Sequence, residues 1–368
     1  MKVITSVKDL KTAAARVLPA VPSKAQTPIQ GGILFKAEGG KLELQANDFS
    51  TAIKAEIAAE VEVAGSMVVS GKNFAEVVTK LPGNIVTLEE TDGTVSIKSD
   101  ATKFELFTMD AEDFAGFEFT APDLKTMLPV AILRGLINKT TFACANEKDG
   151  RPVFQGVSFY FTPTKITAVA TNTHRLAVVT ATAELDEITG EKVMIIPAKV
   201  LNALERLMPA EGNVNFQATS RNVLFGFEDF AVTTRLVDGN FPPYEKVLNI
   251  DVCGTAEVDV GELKSALTRT DIISRASENN TLKMQFDGEG LELSAESYEA
   301  GKVIEHLNAE VEGQIKIAFN STYIGDFARA TDSKTIIFEF GENGTTPMKM
   351  HGAGEDNFVY VATPVRTQ

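Results

Sequence analysis

Lys192-Val-Met-Ile-Ile-Pro197, followed by Ala198 to Met208, reads as a strand that turns directly into a helix. Val200, Leu201, Leu204 and Leu207 recur at helical spacing, and Pro197 stands where a missing N–H leaves no hydrogen bond unmade. The construction occurs twice more. Met67-Val-Val-Ser70 leads into Gly71 to Leu81, with Phe74, Val77, Val78 and Leu81 on one face, and Ile315-Lys-Ile-Ala-Phe319 leads into Asn320 to Ala330, with Tyr323, Ile324 and Phe327. Residues 70, 197 and 320 are equivalent, at steps of 127 and 123 residues. A period that long is a repeat of domains and not of solenoid units.

A second landmark has the same period. Hairpins centred on Gly39-Gly40, Thr162-Pro163-Thr164 and Asp287-Gly288 place Leu42, Ile166 and Leu291 at steps of 124 and 125. Each copy reads as two helices packed on alternating strands, an α+β arrangement with mainly antiparallel sheets. The predicted helices are 6–18, 70–81, 127–139, 197–208, 261–275 and 320–330. Predicted strands include Lys2–Thr5, Gly32–Lys36, Leu42–Ala46, Ile85–Glu89, Thr94–Lys98, Phe104–Phe107, Val153–Phe161, Lys165–Ala170, Thr281–Phe286 and Leu291–Ala295. Residues near Gly116 to Pro122 mark the first boundary. The domains are expected at 1–120, 121–247 and 248–368, each large enough for its own core.

The 368 residues carry a net charge of −15, which at first argues against a nucleic-acid partner. The distribution matters more. The six predicted helices together carry +7, leaving −22 on the remainder. Helices facing one cavity would make it basic inside an acidic shell; acidic strands and loops without such a cavity would give the same count. The sequence holds no run of 18 apolar residues and no signal-peptide core at its start, so a cytoplasmic protein is expected. Cys144 and Cys253 are read as two buried or inert thiols, with a disulfide left open.

Motifs of catalysis are missing. Ser70-Gly71-Lys72 lacks the flanking residues of a phosphate-binding loop, and His174, His306 and His351 have no second ligand at metal spacing. No nucleophile–base pair is marked, so no enzyme activity, cofactor or metal is expected. What stands out is an asymmetry. After the aligned strand the first copy reads Asn47-Asp-Phe-Ser-Thr51 and the third Glu296-Ser-Tyr-Glu-Ala300, but the middle copy reads Thr171-Asn-Thr-His-Arg-Leu176. Donors beside an apolar side chain suit peptide recognition; a turn whose His and Arg are merely solvated is the alternative.

Thr171-Asn-Thr-His-Arg-Leu-Ala177, Asn240-Phe-Pro-Pro-Tyr-Glu-Lys-Val-Leu248 and the terminal Pro364-Val-Arg-Thr367 resemble the bacterial DNA polymerase III beta subunits, the sliding clamps, over the whole length. The resemblance implies three clamp domains and a head-to-tail homodimer closing a ring around double-stranded DNA without reading its sequence. It implies a pocket for short peptides of the replicative polymerase, the clamp loader and repair proteins. By position that pocket uses Phe154, Thr171, His174, Arg175, Leu176, Pro242, Lys246 and Val247, with Val361, Pro364, Val365 and Arg366 from the C-terminal strand. Leu176, Val247, Val361 and Val365 are expected as its apolar floor, stiffened by Pro242 and Pro364, with Arg175 and Arg366 pairing with the peptide. Lys24, Lys72, Lys148 and Arg151 are implied to face DNA, and Phe104, Leu106, Ile272 and Ile273 to form the protomer interface. Those four read as core without the resemblance. Asn172 and Thr173 replace an acid and a glycine of the family's turn, Pro243 an acid, and Thr363 a Met or Leu. Thr173, at a position built for glycine, is expected to change the backbone angle. A peptide-binding adaptor without DNA and a hydrolase on a triplicated scaffold are the competing classes.

Overall fold

The computed structural model describes all residues except 117, 118, 120, 150, 186, 187, 189, 367 and 368. Part of the expected boundary at Gly116–Pro122, and the end of the chain, therefore lie outside the described residues. The repeated strand-to-helix steps are present: Gly65–Ser70 into Gly71–Lys80, Lys192–Pro197 into Ala198–Leu207, and Ile315–Asn320 into Ser321–Ala330. A polar cap explains two of these sharp transitions. Ser70 Oγ accepts from the Asn73 N–H and Asn320 Oδ1 from the Thr322 N–H, satisfying donors that the first helical turn leaves unpaired. The other helix of each copy starts in the same way where its cap is a side chain. Ser6 caps Val7–Val17, and Asp259 Oδ1 accepts from Glu262 N at 2.8 Å to cap Val260–Ser274.

The chain divides into two compact units. The first, Met1–Val130 with Ala203–Leu236, is built on a thirteen-stranded antiparallel sheet. Its continuity across the repeat comes from strand Thr51–Ala58 pairing with Phe230–Arg235, Ile53 opposite Val232. Helix Val7–Val17 buries Val7, Leu10, Ala13, Ala14 and Val17 against this sheet, and Phe35 meets Phe74 edge-on at 4.8 Å. The strand Thr102–Met109 pairs with Thr94–Ser99 through residues 102–107, but with Gly65–Ser70 only through Thr108 and Met109.

The second unit, Ala131–Asn202 with Val237–Gln368, holds a nine-stranded and a four-stranded sheet. In the larger sheet Arg175–Thr182 pairs with Phe358–Ala362, Leu176 opposite Val361 and Ala177 opposite Tyr360. This is the junction of the first unit repeated one copy later. The four-stranded sheet runs Gly301–Leu307, Gly290–Ser297, Thr281–Asp287, Ile315–Asn320. Its inner face, with Leu282, Met284, Leu291, Leu293 and Phe286 buried, packs under helix Val260–Ser274. That helix is tied to the next by Ser321 Oγ donating to Asp271 Oδ1 at 2.9 Å.

The structure corrects three sequence expectations. Residues 127–129 are not helical: Leu124–Pro129 is a strand and the helix is Val130–Asn138. Leu124, Thr126 and Leu128 are buried and alternate with exposed neighbours, a period of two, and the strand pairs fully with Asn213–Ala218. Pro129 marks the change of conformation, since the residue before a proline disfavours the helical region. The strand placed at Val153–Phe161 begins only at Gly156, after a 3₁₀ turn over Pro152–Phe154. Cys253 is exposed, whereas Cys144 is buried, and both are free thiols. Among the described residues no helix is long and apolar enough to cross a membrane.

Burial pushes the Cys144 thiol up to about 12, against a smaller opposite pull from Arg175. Inaccessibility and suppressed ionisation both protect it. A thiol-specific chromogenic reagent should therefore titrate one group per native chain, Cys253, and two after denaturation. Rapid native labelling of both would contradict the burial.

Candidate functional site

The Thr171–Arg175 turn is built from its own side chains. Asn172 Oδ1 accepts from the His174 and Arg175 N–H groups at 3.0 and 3.1 Å, and Thr171 Oγ1 donates to Arg175 O at 2.7 Å. Asp48 does the same for Ser50 and Thr51, and Ser297 for Glu299 and Ala300. The backbone device is thus common to all three copies; the middle copy differs in what it displays. Contrary to expectation, Thr173 does not change the backbone angle: it adopts φ +77°, as Phe49 in the first copy adopts +66°. The side-chain acceptor at residue 172 holds the turn, and the β-branched residue bears the strain of a left-handed conformation.

Beyond the turn the chain enters the junction strand, which fixes Leu176 opposite Val361. These two form a buried cluster with Val169 and Val178, against which Tyr160, Phe241, Tyr244 and Leu248 pack while remaining partly exposed. Tyr160 and Tyr244 lie 5.6 Å apart, and Phe241 meets the buried Phe154 edge-on at 6.0 Å. Two expected floor residues are elsewhere. Val247 is 43% exposed because the single helical turn Glu245–Leu248 directs Tyr244 and Leu248, four apart, to the cluster side. Val365 runs along strand Ile315–Asn320, its N–H donating to Ala318 O at 2.7 Å. Residues 241, 244 and 248, at helical spacing inside the quoted Asn240–Leu248 segment, carried the missed signal. Pro242, Lys246 and His174 are exposed, and Thr171 and Pro364 half-buried.

Arg175 is not available at the rim as expected. Its side chain is 10% exposed and pairs with Asp326 at 2.5 Å, donates to Phe142 O, and lies over the Tyr323 ring at 4.6 Å. Burial opposes the charge, but Tyr360 and Asp326 outweigh it and hold the guanidinium above its ordinary pKa. Its role is structural: it ties the middle-copy strand to helix Ser321–Ala330 of the third copy. Arg366 remains exposed at the C-terminal tail. The Thr363 N–H and hydroxyl both donate to His174 O, at 2.9 and 3.0 Å, so the tail is stitched to the turn.

Lys24, Lys72, Lys148 and Arg151 are exposed, the first two in the first unit and the others in the second. Lys72 shares a groove with Leu106 and the 87%-exposed Phe107, a residue that sequence reading missed. Arg151 lies over the Phe154 ring at 5.8 Å, which brings an expected DNA contact beside the apolar cluster. Phe104, Leu106 and Ile273 are half-buried and Ile272 is 72% exposed, so none of the four is core.

Two substitutions test this geometry. Asp326→Ala should cost about 3 kcal/mol in urea denaturation, because it strands a buried guanidinium, whereas Arg329→Ala should cost about 0.5 kcal/mol or less, as a mainly exposed partner of the same carboxylate. Thr173→Gly should stabilise by about 1 kcal/mol, since glycine adopts a positive φ without steric cost. Equal losses for the two ion-pair variants, or a destabilised glycine variant, would contradict these assignments.

Comparison with known proteins accounts for the whole repeat. Models of the N-terminal, central and C-terminal domains of the DNA polymerase III beta subunit match residues 1–118, 127–243 and 247–366. The beta sliding clamp of Vibrio cholerae is 30% identical over 347 residues, covering 93% of each chain. That of Synechocystis is 28% identical over 390 residues, covering 100% of this chain and 99% of the relative. The crystal structure of the DNA polymerase sliding clamp from Bacillus subtilis superposes with a TM-score of 0.94 at 27% identity, covering both chains completely. The chain belongs to the family of DNA polymerase III beta subunits.

Proposed function

We propose that this chain is a sliding clamp: two copies close head to tail into a ring around duplex DNA and tether the replicative polymerase to its template. Its domains are 1–120, 121–247 and 248–368, a division supported by three separate, consecutive matches to the family's domain models. It acts without catalysis of its own, in the cytoplasm, and is loaded by a clamp loader and shared with repair proteins. The observation that carries the reading is the junction of the middle and third copies. One strand pairing brings Leu176 and Val361 under a ring of partly exposed Tyr160, Phe241, Tyr244 and Leu248. Such a cluster suits the apolar anchors of a short linear peptide, through which all those partners would dock.

Closure of the ring is supported by two strand edges. Residues 102–107 have a strand neighbour on one side only among the described residues, and so has Gly301–Leu307. Pairing these edges between copies would use both and cover Phe104, Leu106, Phe107, Ile272 and Ile273. The exposed Phe107 and Ile272 would contribute roughly 1.5–3 kcal/mol each and the half-buried three less, minus the cost of association. DNA would run past the helices, which carry a basic excess within an otherwise acidic chain, with Lys24, Lys72, Lys148 and Arg151 meeting phosphates.

Sedimentation should give a dimer for the native chain and a folded monomer for Ile272→Asp with Ile273→Asp. A dimer surviving the double substitution would move the interface elsewhere. Leu176→Ala should weaken binding of a fluorescein-labelled peptide from the host's replicative polymerase by about 2 kcal/mol, roughly thirtyfold, and leave the dimer intact. Unchanged affinity would remove the cluster from peptide binding.

A further inference from the structure

Outside the apolar cluster, one groove of this acidic chain has only cations among the charged residues of its described lining. It has a volume of about 920 Å³, and its described lining includes Lys283, Lys316 and Arg366 with Thr363, Val365 and Pro347, and no carboxylate. Lys283 stands opposite Ala318 and Lys316 opposite Gln285 across one strand pair, so the two lysines are diagonal neighbours on the same face. Both are exposed while Leu282, Met284, Ile315 and Ile317 turn inward. The tail forms the groove's wall, held by the Val365 N–H on Ala318 O. Among the described residues no carboxylate ion-pairs with either lysine, unlike Lys54, Lys139 and Lys349, each of which holds a carboxylate within 2.7 Å.

We infer that this groove receives an acidic stretch of the same partner peptide whose apolar residues dock at Leu176 and Val361. The inference rests on the peptide reading above and adds a charge requirement for residues flanking the apolar anchor. Like charges in one groove repel, and with no described carboxylate paired to either lysine an anionic segment relieves that repulsion as it binds. Continuity supports this occupant. Thr363 lines the groove and also donates twice to His174 O, two residues before Leu176, so the groove adjoins the turn that leads into the cluster. A nucleic acid is the less suitable occupant. The lysines lie on the face of the four-stranded sheet opposite helix Val260–Ser274, and the proposed DNA path follows the helices. Flexible ammonium groups on exposed stems fit scattered carboxylates of a mobile chain, and the gain should be modest and salt-dependent.

The test is fluorescence anisotropy with the labelled polymerase peptide, unextended or extended at either end by four glutamates or by four glutamines. At 50 mM salt the glutamate extension at one end should tighten binding roughly fivefold over its glutamine counterpart, and the advantage should vanish at 0.5 M salt. Lys283→Thr with Lys316→Thr should abolish that advantage and bind the unextended peptide as the native chain does. Equal affinity of glutamate and glutamine peptides at both ends in the native protein would overturn the inference while leaving the apolar site standing. So would a glutamate advantage that survives in the double variant. Failure of the unextended peptide to bind the native chain would overturn the peptide reading and this inference with it. Displacement of the glutamate-extended peptide by a single-stranded oligothymidylate, lost in the double variant, would assign the groove to nucleic acid instead.

Discussion

Main-chain pairing between Arg175–Val179 and Phe358–Ala362 is the constraint on which the second unit depends. A register is fixed there because a slip by one residue would turn Leu176, Val178 and Val361 from the cluster to the opposite face. The same pairing sets Arg175 opposite Ala362 and lets its guanidinium reach Asp326 and Phe142 O. One strand pair therefore does two jobs: it continues a sheet from the middle copy into the third, and it assembles residues nearly two hundred positions apart. The first unit repeats the pairing between Thr51–Ala55 and Phe230–Thr234. There Ala52 and Lys54 stand where the middle copy has Leu176 and Val178, so the same pairing displays a smaller side chain and a charged one.

Most of the architecture was legible because a repeat is its own control. Landmarks recurring every 123–127 residues fixed strand-to-helix steps that single periodicities would leave ambiguous, and the helices at 7–17, 71–80, 198–207 and 260–274 fall where spacing placed them. The failure at residues 127–129 has a clear cause. Met-Leu-Pro-Val-Ala-Ile-Leu is apolar throughout, so its short alternating part was absorbed into the helix that follows. Only the partner strand Asn213–Ala218 decides the matter, and pairing with it is a tertiary fact.

The site was legible in composition and less so in geometry. Position alone put Leu176 and Val361 in the cluster, but it put Val247 where Leu248 packs and sent Val365 to the floor when its N–H belongs to Ala318. Arg175 shows the limit most plainly. Nothing local in Thr-His-Arg-Leu distinguishes an arginine offered to a ligand from one buried against a carboxylate 151 residues away. Thr173 shows the converse: a residue type that argued for a changed backbone is carried by an asparagine cap that the sequence also contained.

The charge pattern gives the account its most exposed claim. A protein of net charge −15 should have little affinity for free duplex, so retention must come from enclosure and not from salt bridges to phosphate. The direct measurement is retention of the loaded native chain on a closed circular duplex in 0.5 M salt, before and after a single double-strand cut. Enclosure predicts that the protein stays on the circle and leaves the linear product. Equal retention on circle and cut DNA, or loss from both at that salt, would contradict it.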